Sequence, residues 1–344
     1  MKMIKQMACA ALAAAVAVGI TGCGDGGSKD YSQPKVAEGA IAALVARPME
    51  NTSLATLCKQ YGLDVPALIQ KVSDKDFQGA VKELALDKAQ TKWIAVTFDA
   101  LTADKVKKGE PDFAVVAATS VDLDKVITYA EQKAKSKFKK ATIADVPAYI
   151  ALNGEKEDGY MANLDKQLIL VSNTSAGLEK LIALYRDGKG ASKDFGAFTL
   201  GANDILRAKA TKVGENVKKN LPDPEMLKMV NQMVPDGDKI VQGLGSLDIS
   251  LGASSDGKDV KLDLSLETAS DADADKLASF VKTGVMALTA QMKEGAAKDA
   301  DSKMAYEALQ AVKVENKGKV ATLSATTAAD PALKALADKA KDLK

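Results

Sequence analysis

The sequence contains no histidine among its 344 residues. This absence excludes the Ser-His-Asp triad, the Cys-His dyad and imidazole ligation of zinc, and it removes the commonest general base. Arginine occurs only as Arg47, Arg186 and Arg207, so sites that hold a phosphate or a carboxylate through a guanidinium group must be few. Aromatic residues make up 4% of the chain, too few for a platform that stacks nucleobases or sugars.

Cysteine is also scarce, with 3 in the chain. Beyond the N-terminal segment there is only Cys58, so an internal disulfide is excluded and the apolar core must stabilise the body. Cys58 recurs with Leu54 and Tyr61 at helical spacing on an apolar stripe. A reactive thiol would need a base or a positive environment, so we expect Cys58 to be a buried structural residue.

The first residues of the chain have the organisation of a secretory signal. Lys2 and Lys5 give a basic start, and an apolar run rich in alanine and valine extends from Met7 to Ile20. The small residues Thr21-Gly22 then lead into Cys23. The apolar run is too short to span a bilayer, because a spanning helix needs about 20 apolar residues.

A cysteine placed directly after the small residues resembles the signal of bacterial lipoproteins. The resemblance implies cleavage before Cys23, diacylation of its sulfur with chains such as palmitate, and usually acylation of the new amino terminus. In a Gram-negative cell, Gly24 in place of aspartate implies the outer membrane, with the body facing the periplasm. In a Gram-positive cell the same signal implies the cell membrane. The alternative is an ordinary cleaved signal in which Cys23 is incidental.

Composition and periodicity divide the chain into five segments. After the signal, a polar tract without apolar content indicates a flexible tether, which reaches about 35 Å at most when extended. Helical spacing follows the tether, and period-two alternation with tight turns then begins. The predicted segments are 1–22 (signal peptide), 23–33 (lipidated cysteine and tether), 34–89 (helical), 90–190 (first α+β repeat) and 191–344 (second α+β repeat, with a helical insertion at 203–240).

Two copies of one plan account for most of the body. Asp122-x-Asp124-Lys125-Val126 matches Asp273-x-Asp275-Lys276-Leu277, and each motif follows a predicted strand. The alternation of apolar and polar residues from Val260 to Glu267 is typical of an antiparallel strand with one solvated face. We therefore predict an α+β fold of two related halves, each reading hairpin-helix-hairpin-helix, with one extra strand in the first half. Antiparallel sheets carry helices on one face, and a helical N-terminal segment precedes them. This organisation resembles the duplicated α+β bodies of some bacterial lipoproteins, a resemblance that implies no function.

Asp271, Asp273 and Asp275 are candidate metal ligands, and they are weak ones. Their spacing imitates the start of a calcium loop, but the sixth position, Lys276, should be glycine, and the twelfth is a lysine in place of glutamate. Carboxylates in the first turn of a helix stabilise its N-terminal dipole, with Ser270 or Asp271 as the cap. No catalytic residue and no cofactor is predicted.

The function that this sequence favours is a membrane-anchored, non-enzymatic binding or structural module of the envelope. Its expected partners are the membrane, through the lipid anchor, and another envelope protein. The 47 basic and 46 acidic side chains nearly balance, so no attraction to nucleic acid is expected. The alternative is a tethered enzyme such as a carboxylate-based hydrolase, which would need an inward-facing pair of acids with a raised pKa in a cleft.

Metabolic labelling with a clickable fatty acid tests the lipidation of Cys23. We expect the wild type to be labelled and Cys23→Ala to remain unlabelled, because the thioether-linked chains require that sulfur. Cys9→Ala changes a cysteine inside the leader and should be labelled like the wild type. Equal labelling of the wild type and Cys23→Ala would contradict both the lipoprotein interpretation and the predicted localisation.

Overall fold

The structure, a computed structural model, describes residues 31–48, 52–63, 83–84, 90–99, 112–133, 135–196, 198–220, 231, 236–298 and 300–341. Within these residues the chain forms one antiparallel sheet of twelve strands and eight helices, which confirms the predicted α+β class. The strands are β1 (Ala40–Ala46), β2 (Thr91–Asp99), β3 (Phe113–Thr119), β4 (Lys137–Ile143), β5 (Val146–Asn153), β6 (Lys156–Leu164), β7 (Leu168–Ser172), β8 (Asp204–Thr211), β9 (Ser246–Ala253), β10 (Asp259–Glu267), β11 (Lys313–Lys317) and β12 (Val320–Ala328). The helices are α1 (Ala55–Gln60), α2 (Leu123–Lys133), α3 (Ser175–Asp187), α4 (Val213–Asn220), α5 (Gly237–Gln242), α6 (Asp271–Ala296), α7 (Ala300–Gln310) and α8 (Ala329–Lys341).

The order of strands shows the two related halves directly. It runs β11-β12-β10-β9-β8-β1-β2-β3-β7-β6-β5-β4, with β1 and β8 paired antiparallel at the junction of the halves. Outward from that junction, β1-β2-β3-β7-β6 on one side corresponds to β8-β9-β10-β12-β11 on the other. The first half then continues through β5 and β4. It therefore has two extra strands where the sequence predicts one.

The register of the hairpins agrees with the sequence repeat. Val96 pairs with Val115 in the β2–β3 hairpin, and Leu247 pairs with Leu266 in the β9–β10 hairpin. Leu247 follows Val96, and Leu266 follows Val115, by the same number of residues by which Asp273 follows Asp122. The matched aspartates therefore start helices at equivalent places in the two halves.

Helices lie on both faces of the sheet in the first half. Successive strand residues point to opposite faces. Leu168 and Leu170 of β7 pack in one cluster with α3, whereas Ile169 and Val171 pack in another cluster with α2. The prediction of helices on one face is therefore wrong for this half. The physical reason is that β7 is apolar at successive positions, so both of its faces require cover.

Two central strands lie in segments whose spacing predicts helices. β1 falls within the helical segment 34–89, and β8 falls within the helical insertion 203–240, so both predictions are wrong there. Alanine, the strongest helix former, supplies four of the seven residues of β1 and two of the eight of β8, but pairing along both edges of each strand outweighs that weak propensity. Helices do form at α1, α4 and α5. The rest of the two segments predicted to be helical includes residues 64–82, 85–89, 221–230 and 232–235, which lie outside the described residues.

The α1 helix joins the N-terminal part of the chain to its C-terminal helix. Cys58 of α1 is 2% exposed and packs in a cluster with Leu54 and with Leu333 of α8. The Tyr61 hydroxyl donates a hydrogen bond to the carboxylate of Asp330, at the start of α8. The predicted burial of Cys58 is therefore confirmed.

The long helix α6 contacts the sheet mainly through its first turns. Ala274 and Ala278 are buried in a cluster with Ala321 of β12, whereas Phe280 is 39% exposed and Leu288 is 51% exposed. The helical spacing of Leu277, Phe280 and Val281 in the sequence predicts that Phe280 is buried. This prediction is wrong, because α6 contacts the sheet mainly through its first turns. No helix among the residues described is both long enough and apolar enough to cross a bilayer.

The shorter helix α2 should contribute more stability at its sheet contact than the middle of α6. Ile127 is 3% exposed, so we expect Ile127→Ala to lower the free energy of unfolding by about 2–5 kcal/mol through lost burial and a cavity. Phe280→Ala should cost about 1 kcal/mol or less, because that ring is already partly solvated. Urea unfolding followed by circular dichroism measures both. Equal losses for the two variants would show that α6 is packed as tightly as α2.

Candidate functional site

A cleft of about 600 Å³ lies where α2 begins, between that helix, strands β4 to β6 and the turn before β7. Its floor is partly apolar, with Leu123, Ala141 and Pro147. Polar side chains converge on it from several separate elements, and this combination of an apolar floor with a few placed polar groups is typical of small-molecule sites. The polar residues are Ser120, Asp122 and Asp124 at the start of α2, Lys140 on β4, Tyr149 on β5, Asn163 on β6, and Asp165 and Lys166 in the turn.

Asp122 caps α2 and so fixes one wall of the cleft. Its Oδ1 accepts hydrogen bonds from the backbone N–H of Asp124 at 3.0 Å and of Lys125 at 3.4 Å. A short polar side chain at this position satisfies donors that the first turn leaves without partners. The interpretation of Asp122 as a helix-start residue is therefore confirmed.

Tyr149 joins β5 to the first turn of α2. Its hydroxyl donates a hydrogen bond of 2.7 Å to Asp124 Oδ1. This hydrogen bond, together with partial burial and the nearby carboxylates, raises the pKa of Tyr149 from 10.0 to about 12. The phenol therefore keeps its proton at neutral pH and acts as a donor that holds the Asp124 carboxylate in place.

Asn163 carries a polar atom for which the structure supplies no partner. Its Oδ1 is buried, and no donor among the described residues reaches it. A buried acceptor left in this state costs about 1–3 kcal/mol, so its presence in the wall of a cleft calls for a physical explanation.

The second half shows what the equivalent asparagine does. Asn163 and Asn316 each lie two residues before a turn whose backbone has positive φ, at Asp165 and at Gly318. The amide of Asn316 donates to Asp275, which matches Asp124 in the sequence repeat. In the first half Tyr149 takes the place of that asparagine on the carboxylate. Because Tyr149 belongs to an extra strand, this change has no counterpart in the second half.

Some charged groups of the cleft already form hydrogen bonds within the protein, and others do not. Asp165 accepts a 2.7 Å hydrogen bond from the hydroxyl of Tyr31, and burial followed by this bond raises the pKa of that phenol. Lys140 and Lys166 form no ion pair with any residue that the structure describes. The cleft therefore combines carboxylates held by hydrogen bonds with two ammonium groups that have no fixed partner.

Two carboxyl groups outside the cleft have a pKa below the usual range. Lys239 and Lys276 lower the pKa of Asp236, and the Ser254 hydroxyl with a backbone N–H lowers that of Asp256.

The predicted metal ligands, helix caps of α6 and lipidation site lie outside the cleft. Ser270 caps α6, with its Oγ accepting from the N–H of Asp273 at 3.2 Å, so one of the two predicted caps is confirmed. Asp275 is bound by Asn316, and the part of the chain that the structure describes contains no group of three potential metal ligands. Cys23 lies outside the described residues.

Sequence reasoning missed Lys140, Tyr149 and Asn163 as site residues. Lys140 and Tyr149 belong to strands that are absent from the second repeat, so the alignment of the two copies does not select them. The pair of asparagines before the two turns was the available signal. Its meaning depends on the Tyr149 contact, which no local pattern reveals.

No protein-family model and no curated protein matches the chain. Among solved structures, it is similar to crystal form III of TP0453, with 11% identity, 88% of this chain and 96% of that chain covered, and a TM-score of 0.43. Crystal form I of TP0453 has 11% identity, covers 88% and 94% of the two chains and has a TM-score of 0.35. At these values the similarity supports no statement about function.

The Tyr149–Asp124 hydrogen bond predicts a pH dependence. Because the pKa is raised in the folded state, the bond stabilises the fold below about pH 10, and this contribution is lost as the pH rises through about 12. We expect Asp124→Asn to move the pKa of Tyr149 toward 10.0, measured as tyrosinate absorbance with Tyr149→Phe subtracted. An unchanged titration in Asp124→Asn would show that burial, and not the carboxylate, raises the pKa.

Proposed function

We propose that the protein is a non-enzymatic envelope lipoprotein that is held to the membrane by acylated Cys23 and binds a small polar molecule in the cleft at the start of α2. The single observation that supports binding is the cleft itself. It brings polar groups from several elements around an apolar floor.

The signal pattern and the position of Tyr31 support an anchored binding site. Two or three acyl chains give stable attachment, whereas one chain holds a protein only marginally. Tyr31 is 5% exposed, and its hydroxyl is bound to Asp165 beside the cleft. The residues between Cys23 and Tyr31 extend by at most about 3.5 Å each, so the cleft would lie close to the membrane surface. In a Gram-negative cell we propose the periplasmic side of the outer membrane.

The tethered-hydrolase alternative finds less support in the cleft. Asp124 and Asp165 each accept a hydrogen bond from a tyrosine, at 2.7 Å in both cases, so both carboxyl groups are held as acceptors. A hydrolase of this kind needs one carboxyl group that stays protonated in order to donate. The same contacts favour carboxylates that act as fixed acceptors for a ligand.

A retention experiment separates binding from catalysis. Full-length protein in detergent is incubated with a low-molecular-weight extract of bacterial envelopes, isolated by gel filtration, and its bound molecules are identified by mass spectrometry. We expect a stoichiometric compound that elutes chemically unchanged, and we expect Asn163→Leu to lose it.

The matched control is Asn316→Leu, which changes the equivalent asparagine outside the cleft and should retain the compound. Time-dependent conversion of the bound compound would favour the tethered enzyme. Retention that survives Asn163→Leu would place the binding elsewhere and contradict the proposal.

A further inference from the structure

We infer that the exposed face of α6 is a contact surface through which two copies of this chain pair as antiparallel helices. The inference depends neither on the cleft nor on the lipid anchor. It rests on a face of the helix that is exposed, carries no charge along its middle, and ends in opposite charges.

The middle of α6 exposes apolar surface to solvent. Four large apolar side chains are exposed among the described residues, and three of them, Phe280, Met286 and Leu288, lie on this helix. Met286 is 65% exposed. From Leu277 to Met292 the only charged residue is Lys282. Contiguous apolar surface of this kind marks a site of association, because association removes it from water.

One exposed stripe of α6 has the same spacing when it is read from either end. Its members recur at intervals of 4, 3, 4, 3 and 4 residues, which keeps them on one side of the helix. All of them are exposed, and they are Lys276, Phe280, Thr283, Ala287, Ala290 and Glu294. A two-fold axis at the level of Val285 therefore places Phe280 opposite Ala290 of a second copy, and Thr283 opposite Ala287.

The charges at the two ends of the stripe select an antiparallel second copy. The same two-fold axis places Lys276 opposite Glu294 at both ends of the pair, whereas parallel helices would place each charge against its own kind. Lys276 Nζ already lies 3.1 Å from Asp236 Oδ2 of its own chain, but an ammonium group has three donors. Glu294 forms no ion pair with any residue that the structure describes. The stripe is therefore complementary to itself in charge.

The middle of the stripe allows two helices to approach closely. Ala287 and Ala290 have small side chains, and the Thr283 hydroxyl is satisfied within the helix, where it donates a 2.9 Å hydrogen bond to the carbonyl of Ser279. Beside the stripe, a Cβ atom added to Gly284 would meet nothing within 4 Å, so that side of the helix is also open. Because both copies use the same surface, the contact closes as a dimer and does not propagate.

The stripe suits a second copy better than an anionic membrane. A helix that lies on a bilayer carries an excess of lysine or arginine next to its apolar face. On this stripe the one cation, Lys276, is balanced by the one anion, Glu294. An anionic surface would attract one end of the stripe and repel the other, whereas a second copy satisfies both ends.

Chemical crosslinking of the full-length protein in intact cells tests the pairing. A single helix pair buries less than the roughly 1,200–2,000 Å² of a standard interface, so the dimer should be weak and a covalent trap is appropriate. The reporter is Ala287→Cys, treated with a bis-maleimide that spans about 8–10 Å, the separation of packed helices. We expect a covalent dimer that contains two copies of this chain.

Lys282→Cys is the matched control, because this residue is exposed on another side of the same helix. It should give at least about fivefold less crosslinked dimer than Ala287→Cys, since its thiols would face away from the contact. The wild type should give none, because Cys58 is buried.

Charge reversal tests the antiparallel arrangement. In the Ala287→Cys protein, Lys276→Glu and Glu294→Lys each create like charges at both ends of the pair, so each should lower the yield of dimer about threefold or more. The two reversals combined should restore the yield. Urea unfolding of these variants should match that of the Ala287→Cys protein, because both side chains are exposed.

Other outcomes would overturn the pairing. Equal crosslinking from Ala287→Cys and Lys282→Cys would show that the contact is not specific to this face. A crosslinked product with a protein of different mass would show that another partner occupies it. If the two single reversals change sedimentation with anionic lipid vesicles in opposite directions and leave the yield of dimer unchanged, the occupant is the membrane. None of these results bears on binding in the cleft.

Discussion

The antiparallel pairing of β1 with β8 is the interaction on which the rest of the fold depends, because it turns two smaller sheets into one. On one face of this junction Ala43 and Val45 of β1 are buried in the core beneath α3. Their partners on β8 are Lys209 and Arg207. Arg207 binds Asp248 bidentately at 2.8 and 3.1 Å and lies over the ring of Phe198. The same face of the sheet is therefore apolar on β1 and charged on the neighbouring strand β8.

The sequence predicted best where one physical signal acted alone. The alternation from Val260 to Glu267 gave the correct strand, Ser270 was one of two correct cap candidates, and the stripe around Cys58 indicated its burial. The predictions at β1 and β8 were wrong because the helix propensity of their alanines is weaker than the pairing of these strands with their neighbours. β4 was not predicted because its lysines interrupt the alternation of apolar and polar residues that marks a strand. Lysines are tolerated there because β4 lies at the edge of the sheet, where one side of the strand faces solvent.

The candidate site could not be predicted for a related reason. Duplication explains Asp124 and Asn163, whose counterparts Asp275 and Asn316 bind each other. The cleft arises only where this plan is extended by β4 and β5, because Tyr149 then engages Asp124 and Asn163 loses its local partner. A new contact made by an inserted element has no trace in the local pattern of either repeat. Its consequence is visible only in three dimensions.

The lysines of β4 have a consequence for behaviour at high concentration. A single open sheet of twelve strands ends in two unpaired edges, and such edges are templates for joining one chain to another. At β4 any approaching copy would bring its own ammonium groups against Lys137, Lys139 and Lys140, and β11 is short and carries Lys313 and Lys317. Charge repulsion at both ends of the sheet thus opposes edge-to-edge polymerisation.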